Sequence, residues 1–259
     1  MKVIGRAGVA SEVLEGVPFF QSHSEFTDKG EFLGGPASGL QSGFIEKYGW
    51  PMIGISRTRI QTVLLDNCRR KGVVIHTGWR LAALEEVGDA VLARSEDGRE
   101  ELVDLVVGAD GIKSRTRELI TLKRGLEVKE PDFTGIAILG GLVKTPKWLE
   151  REPSVRVYYG ATVAMINHTL ENGMCVWGLN YGLESAVAES WRTIRQEDLA
   201  QEVAATLERL EGWAEPVRGL IAGSQKIMTI GLYDRPELPA EQWHYNRCVL
   251  VGDAAHPTT

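Results

Sequence analysis

Two short apolar runs, each stopping at a glycine and then an aspartate, constrain this chain more than any other feature. The later one, Arg247-Cys-Val-Leu-Val-Gly-Asp-Ala-Ala-His-Pro257, opens with Cys248 to Val251, a run of the kind that makes a strand buried on both faces. Gly252 lets the backbone leave that strand with no side chain in the way. Asp253 then stands where a carboxylate can meet a hydroxyl-bearing ligand. Ala254 and Ala255 keep the exit narrow, and Pro257 stiffens it. Alone, the stretch reads equally well as a tight turn whose aspartate caps the following segment. The earlier run changes the balance. Val106-Val-Gly-Ala-Asp-Gly-Ile-Lys-Ser-Arg-Thr-Arg117 is another apolar strand, ending in Gly-x-Asp-Gly and turning into a helix from about Ser114. Gly108 and Gly111 permit close backbone approach, Asp110 can accept from a donor, and Ser114 can cap the helix. Arg115 and Arg117 fall in its first turn, where cations oppose the helix dipole. A ligand phosphate or a carboxylate partner such as Glu118 would account for them; a capped helix start with solvated arginines is the plainer alternative.

Composition narrows the function classes. The 259 residues, 43% of them hydrophobic, suffice for two modest domains or one large one. A formal net charge of −6 argues against a general nucleic-acid or anionic-membrane surface. No run approaches the roughly 18 consecutive apolar residues of a membrane span, and Met1-Lys-Val-Ile-Gly-Arg6 lacks the apolar core of a signal peptide. Cys68, Cys175 and Cys248 lie far apart in apolar patterns, which reads as reduced core thiols of an intracellular, cytoplasmic protein. The histidines form no ligand-spaced cluster, so no metal is expected.

Residues 1–16 show helix-like apolar spacing, ended by Gly16 and Pro18. Ile4-Gly-Arg-Ala-Gly-Val-Ala-Ser11 imitates a dinucleotide-binding glycine loop. However, almost nothing precedes Gly5 to make the required strand, and Gly16 and Pro18 break the required helix too soon. Asp28-Lys-Gly30 is a hairpin turn signal. Thr58 to Arg70 places Ile60, Val63, Leu64 and Cys68 on one helical face, closed by Gly72, and Val73-Val-Ile-His-Thr77 reads as a β-branched strand. Leu81 to Val87, Ala90 to Arg94 and Glu101 to Val107 read as a three-strand meander turning at Gly88-Asp89 and Asp97-Gly98. Past Lys129 the texture changes. Phe133 to Val143, Val155 to Met165 and Met174 to Tyr181 are long β-rich runs suggesting an antiparallel sheet. Gln196 to Leu210 and Glu215 to Ile221 read as helices, Ile227 to Tyr233 as a returning strand, and Pro236 and Pro239 mark the way back to Arg247.

These residues resemble the FAD-dependent monooxygenases of the para-hydroxybenzoate hydroxylase fold, closest to the salicylate, urate and zeaxanthin branch and its fungal secondary-metabolism relatives. The likeness rests on Val107-Gly-Ala-Asp-Gly-Ile-Lys-Ser-Arg-Thr-Arg117, Val249-Leu-Val-Gly-Asp-Ala-Ala-His-Pro257 and Ile55-Ser-Arg-Thr-Arg-Ile60, in matching order along essentially the whole chain. It implies an α/β fold: an incomplete FAD-binding Rossmann-like domain with a β-meander, residues 1–130 and 240–259, and an inserted antiparallel-sheet and helix substrate domain, residues 131–239. It also implies FAD as cofactor and NAD(P)H as co-substrate. Reduced flavin and O2 would deliver an oxygen atom to a small aromatic or polyene substrate. Asp253 would bind ribityl or ribose-side hydroxyls with Gly252 allowing the approach, Arg57 would contact the flavin cofactor, and Asp110 through Arg117 would serve FAD and NADPH contacts. Tyr158, Tyr159, Trp177 and Tyr181 are candidates for a substrate pocket, with strand core the alternative for most of them. The family's opening strand and Gly-x-Gly-x-x-Gly loop, and its C-terminal part, are not found in this sequence. Leu139-Gly140 stands where some relatives carry Trp-Arg, so no catalytic residue is assigned.

The competing expectations are a truncated, non-catalytic remnant that binds at most a ligand or partner, and a flavin-dependent dehydrogenase or halogenase. The halogenase loses ground because no Trp-x-Trp-x-x-Ile pattern occurs among the seven tryptophans.

Overall fold

In a computed structural model that describes residues 1–35, 40–188 and 192–257, the chain opens with two short helices, α1 (Lys2–Arg6) and α2 (Ala10–Leu14). Gly5 lies inside α1, in helical backbone and not in a glycine loop. The strands β1 (Ser22–Thr27) and β2 (Phe32–Gly34) make a hairpin whose turn holds Asp28, Lys29 and Gly30, the last at φ 87°. After α3 (Leu40–Tyr48), Ser56 caps α4 (Arg57–Arg70) by accepting from the Arg59 N–H. Then come β3 (Leu81–Val87), β4 (Ala90–Ser95), β5 (Glu100–Val103), β6 (Val106–Gly108) and α5 (Arg115–Lys123). β7 (Asp132–Lys144), α6 (Lys147–Glu150), β8 (Ser154–Tyr159), β9 (Val163–Thr169), β10 (Met174–Gly182) and β11 (Arg192–Thr193) follow. The chain returns through α7 (Leu199–Arg209), α8 (Glu215–Ala222), β12 (Ser224–Asp234), β13 (His244–Tyr245) and β14 (Cys248–Leu250).

Two compact units result, one of Met1–Val74 with Gly135–Gly231, the other of Ile75–Thr134 with the residues from Leu232 onward. The chain passes between them after Val74, Thr134 and Gly231, and residues 1–74 group with the large sheet and not with the nucleotide-type unit. The reason is backbone pairing: β1 runs parallel along β8, Ser22 to Thr27 opposite Ser154 to Tyr159. The pairs β7–β10, β10–β9 and β9–β8 are antiparallel, as expected, and the addition of β1 makes the whole sheet mixed, in the order β11-β12-β7-β10-β9-β8-β1-β2. The single run expected over Val155 to Met165 is a hairpin, β8 pairing antiparallel with β9.

Strand periodicity divides this sheet into two faces. Leu139, Gly141 and Val143 share one face with Cys175, Trp177, Leu179 and Met165, and they form a core with Leu199, Leu210, Val217, Leu220 and Ile221 from α7, α8 and their flanks. Trp177 is fully buried opposite Gly141, where a Cβ would lie 2.2 Å from the indole; the glycine makes the room that the ring fills. The indole Nε1 donates to Ser224 Oγ at 2.9 Å, satisfying its one polar atom. Ile138, Leu142, Ile166 and Val176 belong to the other face and stay partly exposed.

In the second unit β3, β4 and β5 form the expected meander, with Gly88 and Gly98 at positive φ in the turns. Its third strand stops at Val103. Val106–Gly108 is a separate strand of a second sheet, ordered β13-β14-β6, because beyond Asp104 and Leu105 the backbone changes partner and the Val106 N–H donates to Arg247 O at 2.9 Å. The strands at this sheet are not buried on both faces, as the apolar runs suggested. Cys248 and Leu250 point into a core with Ile120 of α5, while Val107 and Val251 are 53% and 42% exposed. Val73 to Thr77 is not a strand at all. No described strand pairs with it, and Val74 is 75% exposed. β-Branched side chains favour extended backbone but supply no neighbour to hydrogen-bond it.

All three thiols are free. Burial pushes Cys175 up to about 12 and raises Cys248, while Cys68 is only partly buried. At pH 8, iodoacetamide should label Cys68 in the folded protein and leave Cys175 and Cys248 unmodified until denaturant is added, as read by peptide mass spectrometry.

Candidate functional site

β6 and β14 run parallel with Val106 opposite Cys248 and Gly108 opposite Leu250, so the carboxyl ends of both strands finish side by side. The Val251 N–H donates to Gly108 O at 2.9 Å and carries the pairing to the last residue. In open α/β sheets this is the end at which ligands sit. Gly108 is required for packing, since a Cβ there would come within 2.7 Å of Thr116 in α5 and 3.0 Å of Leu250.

Asp110, just past β6, is spent on its own loop. One carboxylate oxygen accepts from the Ser114 hydroxyl, and the other accepts from Thr116 N–H at 2.9 Å and Thr116 Oγ1 at 3.0 Å. Ser114 Oγ in turn accepts from Arg117 N–H at 2.9 Å. Asp110 is thus a second cap on α5, a negative charge at the helix's positive end.

The two arginines of that first turn are also engaged. Arg115 pairs with Glu118 and donates to Ala82 O at 3.0 Å. Arg117, 4% exposed, donates to Pro236 O at 2.7 Å and Ala255 O at 3.4 Å. Burial, and then the charge of Arg235, pushes Arg117 down to about 10, so it remains a cation at neutral pH. Arg235, which sequence reasoning passed over, is 6% exposed and donates to Ile112 O at 2.7 Å and Lys129 O at 2.9 Å. Together the two hold the loop after β6 at Ile112 and the loop after β14 at Ala255. The only local signal for Arg235 was its place in Asp234-Arg-Pro236, and nothing in that tripeptide marks an arginine as buried.

Asp253 differs from Asp110. Gly252 takes φ 58°, and the Ala255 and His256 N–H groups both donate to Gly252 O, forming one turn of 3₁₀ helix over Gly252–Ala254. Ala254 and Ala255 are fully buried, which leaves Asp253 facing outward. Among the described residues no hydrogen bond or ion pair reaches its carboxylate. His256, two residues on from Ala254, stacks on Trp243 with centroids 5.0 Å apart and lines a cleft of about 750 Å³ with Arg235, Pro236 and Pro257. A second cleft, about 640 Å³, opens at the end of β6 between Gly108 to Asp110, Trp79, Arg80, Lys113 and Arg115. Both volumes suit part of a dinucleotide.

Arg57 lies in the other unit, as the first residue of α4. It is exposed and, among the described residues, has no hydrogen bond or ion pair. Of the aromatic candidates, Trp177 and Tyr158 are core, Tyr181 lies under the Arg209 guanidinium at 4.4 Å, and Tyr159 is 43% exposed. Among the described residues no three His, Cys, Asp or Glu side chains cluster to hold a metal ion, and no helix is long and apolar enough to cross a membrane.

The family model described as "FAD binding domain" matches residues 1–259. The chain belongs to the FAD binding domain family. Aurachin C monooxygenase/isomerase of Stigmatella aurantiaca is 30% identical over 82% of this chain and 51% of its own length. A 3-amino-4-hydroxybenzoate 2-monooxygenase of Streptomyces platensis is 30% identical over 84% of this chain and 52% of its own. This FAD binding domain chain therefore spans about half the length of those relatives. Klebsiella pneumoniae HpxO, solved with FAD and uric acid, superposes with a TM-score of 0.82 at 24% identity, covering all of this chain and 62% of that one. A salicylate hydroxylase substrate complex gives 0.74 at 19% identity, over 98% and 63%. The fold is that of FAD-dependent monooxygenases, and FAD is the family's cofactor. In the unit that carries β6 and β14 the residues present fit it: a carboxylate on a glycine turn, without a partner among the described residues, suits a ligand rich in hydroxyls.

The two aspartates should separate in denaturation. Asp110→Ala removes a cap and should lower stability by about 1 kcal/mol, whereas Asp253→Ala should stay within about 0.5 kcal/mol of the parent in urea titrations.

Proposed function

We propose that this chain acts as an FAD- and NAD(P)H-dependent monooxygenase that hydroxylates or epoxidises a small aromatic or alkene-containing metabolite. Asp253 carries the reading: an exposed carboxylate with no protein partner among the described residues, held beyond the end of a parallel strand by a buried Ala254-Ala255 pair. Asp253 accepts from the ribityl or ribose hydroxyls, and Gly252 keeps the approach open. Arg57 supplies positive charge to the cofactor. Asp110 and Arg117 act behind the contact surface, holding the two strand-end loops in place. Bound FAD, reduced by NAD(P)H, supplies the electrons that pass one atom of O2 to the substrate and the other to water.

The substrate lies on the face of the large sheet opposite α7 and α8, where Ile138, Leu142, Ile166 and Val176 surround Gly178. A Cβ at Gly178 would meet only Ile166 at 3.6 Å and Ile138 at 3.9 Å, so the glycine leaves bare backbone on which a flat ring can rest. Relatives named for 3-amino-4-hydroxybenzoate and 6-hydroxynicotinate support an aromatic ring as the substrate class.

The first test is the visible spectrum of the purified chain after FAD addition and gel filtration. Retained bands at roughly 370 and 450 nm are expected; a colourless protein would favour the non-catalytic remnant. Asp253→Ala should weaken FAD about 10- to 100-fold, the worth of hydrogen bonds to a charged acceptor. Gly178→Val should fold and retain FAD, yet lose most aromatic-stimulated NAD(P)H oxidation, since its methyls occupy the floor on which the ring rests. Unchanged stimulation would move the substrate to another surface.

A further inference from the structure

Arg57 has no side-chain partner of its own among the described residues, so its position depends on the backbone that carries it. We propose that Glu171 is a positioning residue for Arg57, fixing the start of α4 from the β9–β10 hairpin; the inference rests on the reading of Arg57 as a cofactor contact. Glu171 is 6% exposed, at a tight turn where Asn172 and Gly173 take φ 61° and 66°. No ion pair to a basic group is found for it among the described residues. Its carboxylate instead accepts from the Ser56 N–H, at 3.0 Å to one oxygen and 3.3 Å to the other, and from the Ser56 hydroxyl. Ser56 Oγ then accepts from the Arg59 N–H at 3.2 Å. The relay runs from a buried carboxylate through Ser56 into the first turn of α4, whose first residue is Arg57.

A buried carboxylate without a cation is expensive, and the positive end of a helix is one of the few protein features that offsets the cost. A second contact ties the same two segments. Gly54, two residues before Ser56, lies so close to the end of β9 that a Cβ would come 1.9 Å from Thr169 O. On its other side the Arg59 guanidinium donates to Glu12 O at 3.0 Å and to Glu15 O, so the first turn of α4 is held from two directions while Arg57 stays exposed. Glu171 acts through Ser56 and touches no reacting group.

The test compares Glu171→Ala, Glu171→Gln, Arg57→Ala and the Glu171→Ala/Arg57→Ala double variant in the full chain. It reads amide hydrogen exchange at Ser56 and Arg59 and the FAD dissociation constant as a function of salt. Glu171→Ala should speed exchange at both amides at least tenfold. It should also weaken FAD about tenfold with the same loss of salt dependence as Arg57→Ala, and the double variant should be no weaker than Arg57→Ala alone. Glu171→Gln, which keeps one acceptor oxygen and the side-chain volume, should fall between and carries the test if the alanine variant does not fold. A merely structural Glu171 would lower the melting temperature while leaving FAD affinity and its salt slope intact at low temperature, which overturns the proposal, as does full additivity of the two substitutions. If Arg57→Ala binds FAD like the parent, the reading of Arg57 fails and the positioning role with it, whereas additive losses sink the positioning role alone. A parent chain that holds no FAD overturns both.

Discussion

The site depends on one short piece of backbone pairing, β6 against β14, three residues a side and joining positions about 140 apart in sequence. So few ladder hydrogen bonds cannot hold two loops in place by themselves. What secures them is burial beneath the strands, where Cys248 and Leu250 meet Ile120 of α5, and two buried arginines above, with Arg117 and Arg235 donating to carbonyls of both loops. Buried guanidinium groups are tolerable here because several N–H donors find backbone acceptors, and backbone carbonyls otherwise left without donors are satisfied at the same time. The strand-end loops are therefore held by charge that is not available for a ligand.

That distinction, between charge spent on the fold and charge left over, separates Asp110 and Arg117 from the residues proposed to meet the cofactor. Asp110 and Asp253 occupy comparable positions in two similar motifs, yet one closes three hydrogen bonds onto α5 and the other closes none among the described residues. Arg115 and Arg117 are consumed by Glu118 and by carbonyls, while Arg57 is not consumed. An exposed ionised group at a helix start or a glycine turn, unneutralised by neighbours, adds nothing to stability that the fold needs. Such a group is free to meet a ligand, as proposed for Asp253 and Arg57.

The large sheet follows a similar logic with volume in place of charge. Trp177 occupies the space left by Gly141 and finds Ser224 for its Nε1, so one face is closed against α7 and α8. The other face keeps Gly178 and partly exposed aliphatic side chains. A close-packed interior cannot also serve as a binding surface, so the alternation of β7, β9 and β10 closes one face and leaves open the other, where the substrate is proposed to rest.

Much of this was legible in the sequence. The two Gly/Asp strand ends, the Ser114 cap of α5, the meander turns and the β-rich runs of β7 and β10 are local patterns, set by backbone preferences of a few neighbouring residues, and each stands where it was expected. The errors share one cause. Val73 to Thr77 looked like a strand and has no partner; Glu101 to Val107 looked like one strand and divides between two sheets; residues 1–74 looked like part of the nucleotide-type unit and joined the large sheet through β1. Extended conformation is a property of a segment, but a strand exists only with a neighbour, and the choice of neighbour is made by the whole chain. For the same reason the sequence could nominate Asp110, Arg117, Asp253 and Arg57 together without ranking them. Only the tertiary structure decided which charges are neutralised, because a partner such as Pro236 O for Arg117 lies more than a hundred residues away and becomes a neighbour only on folding.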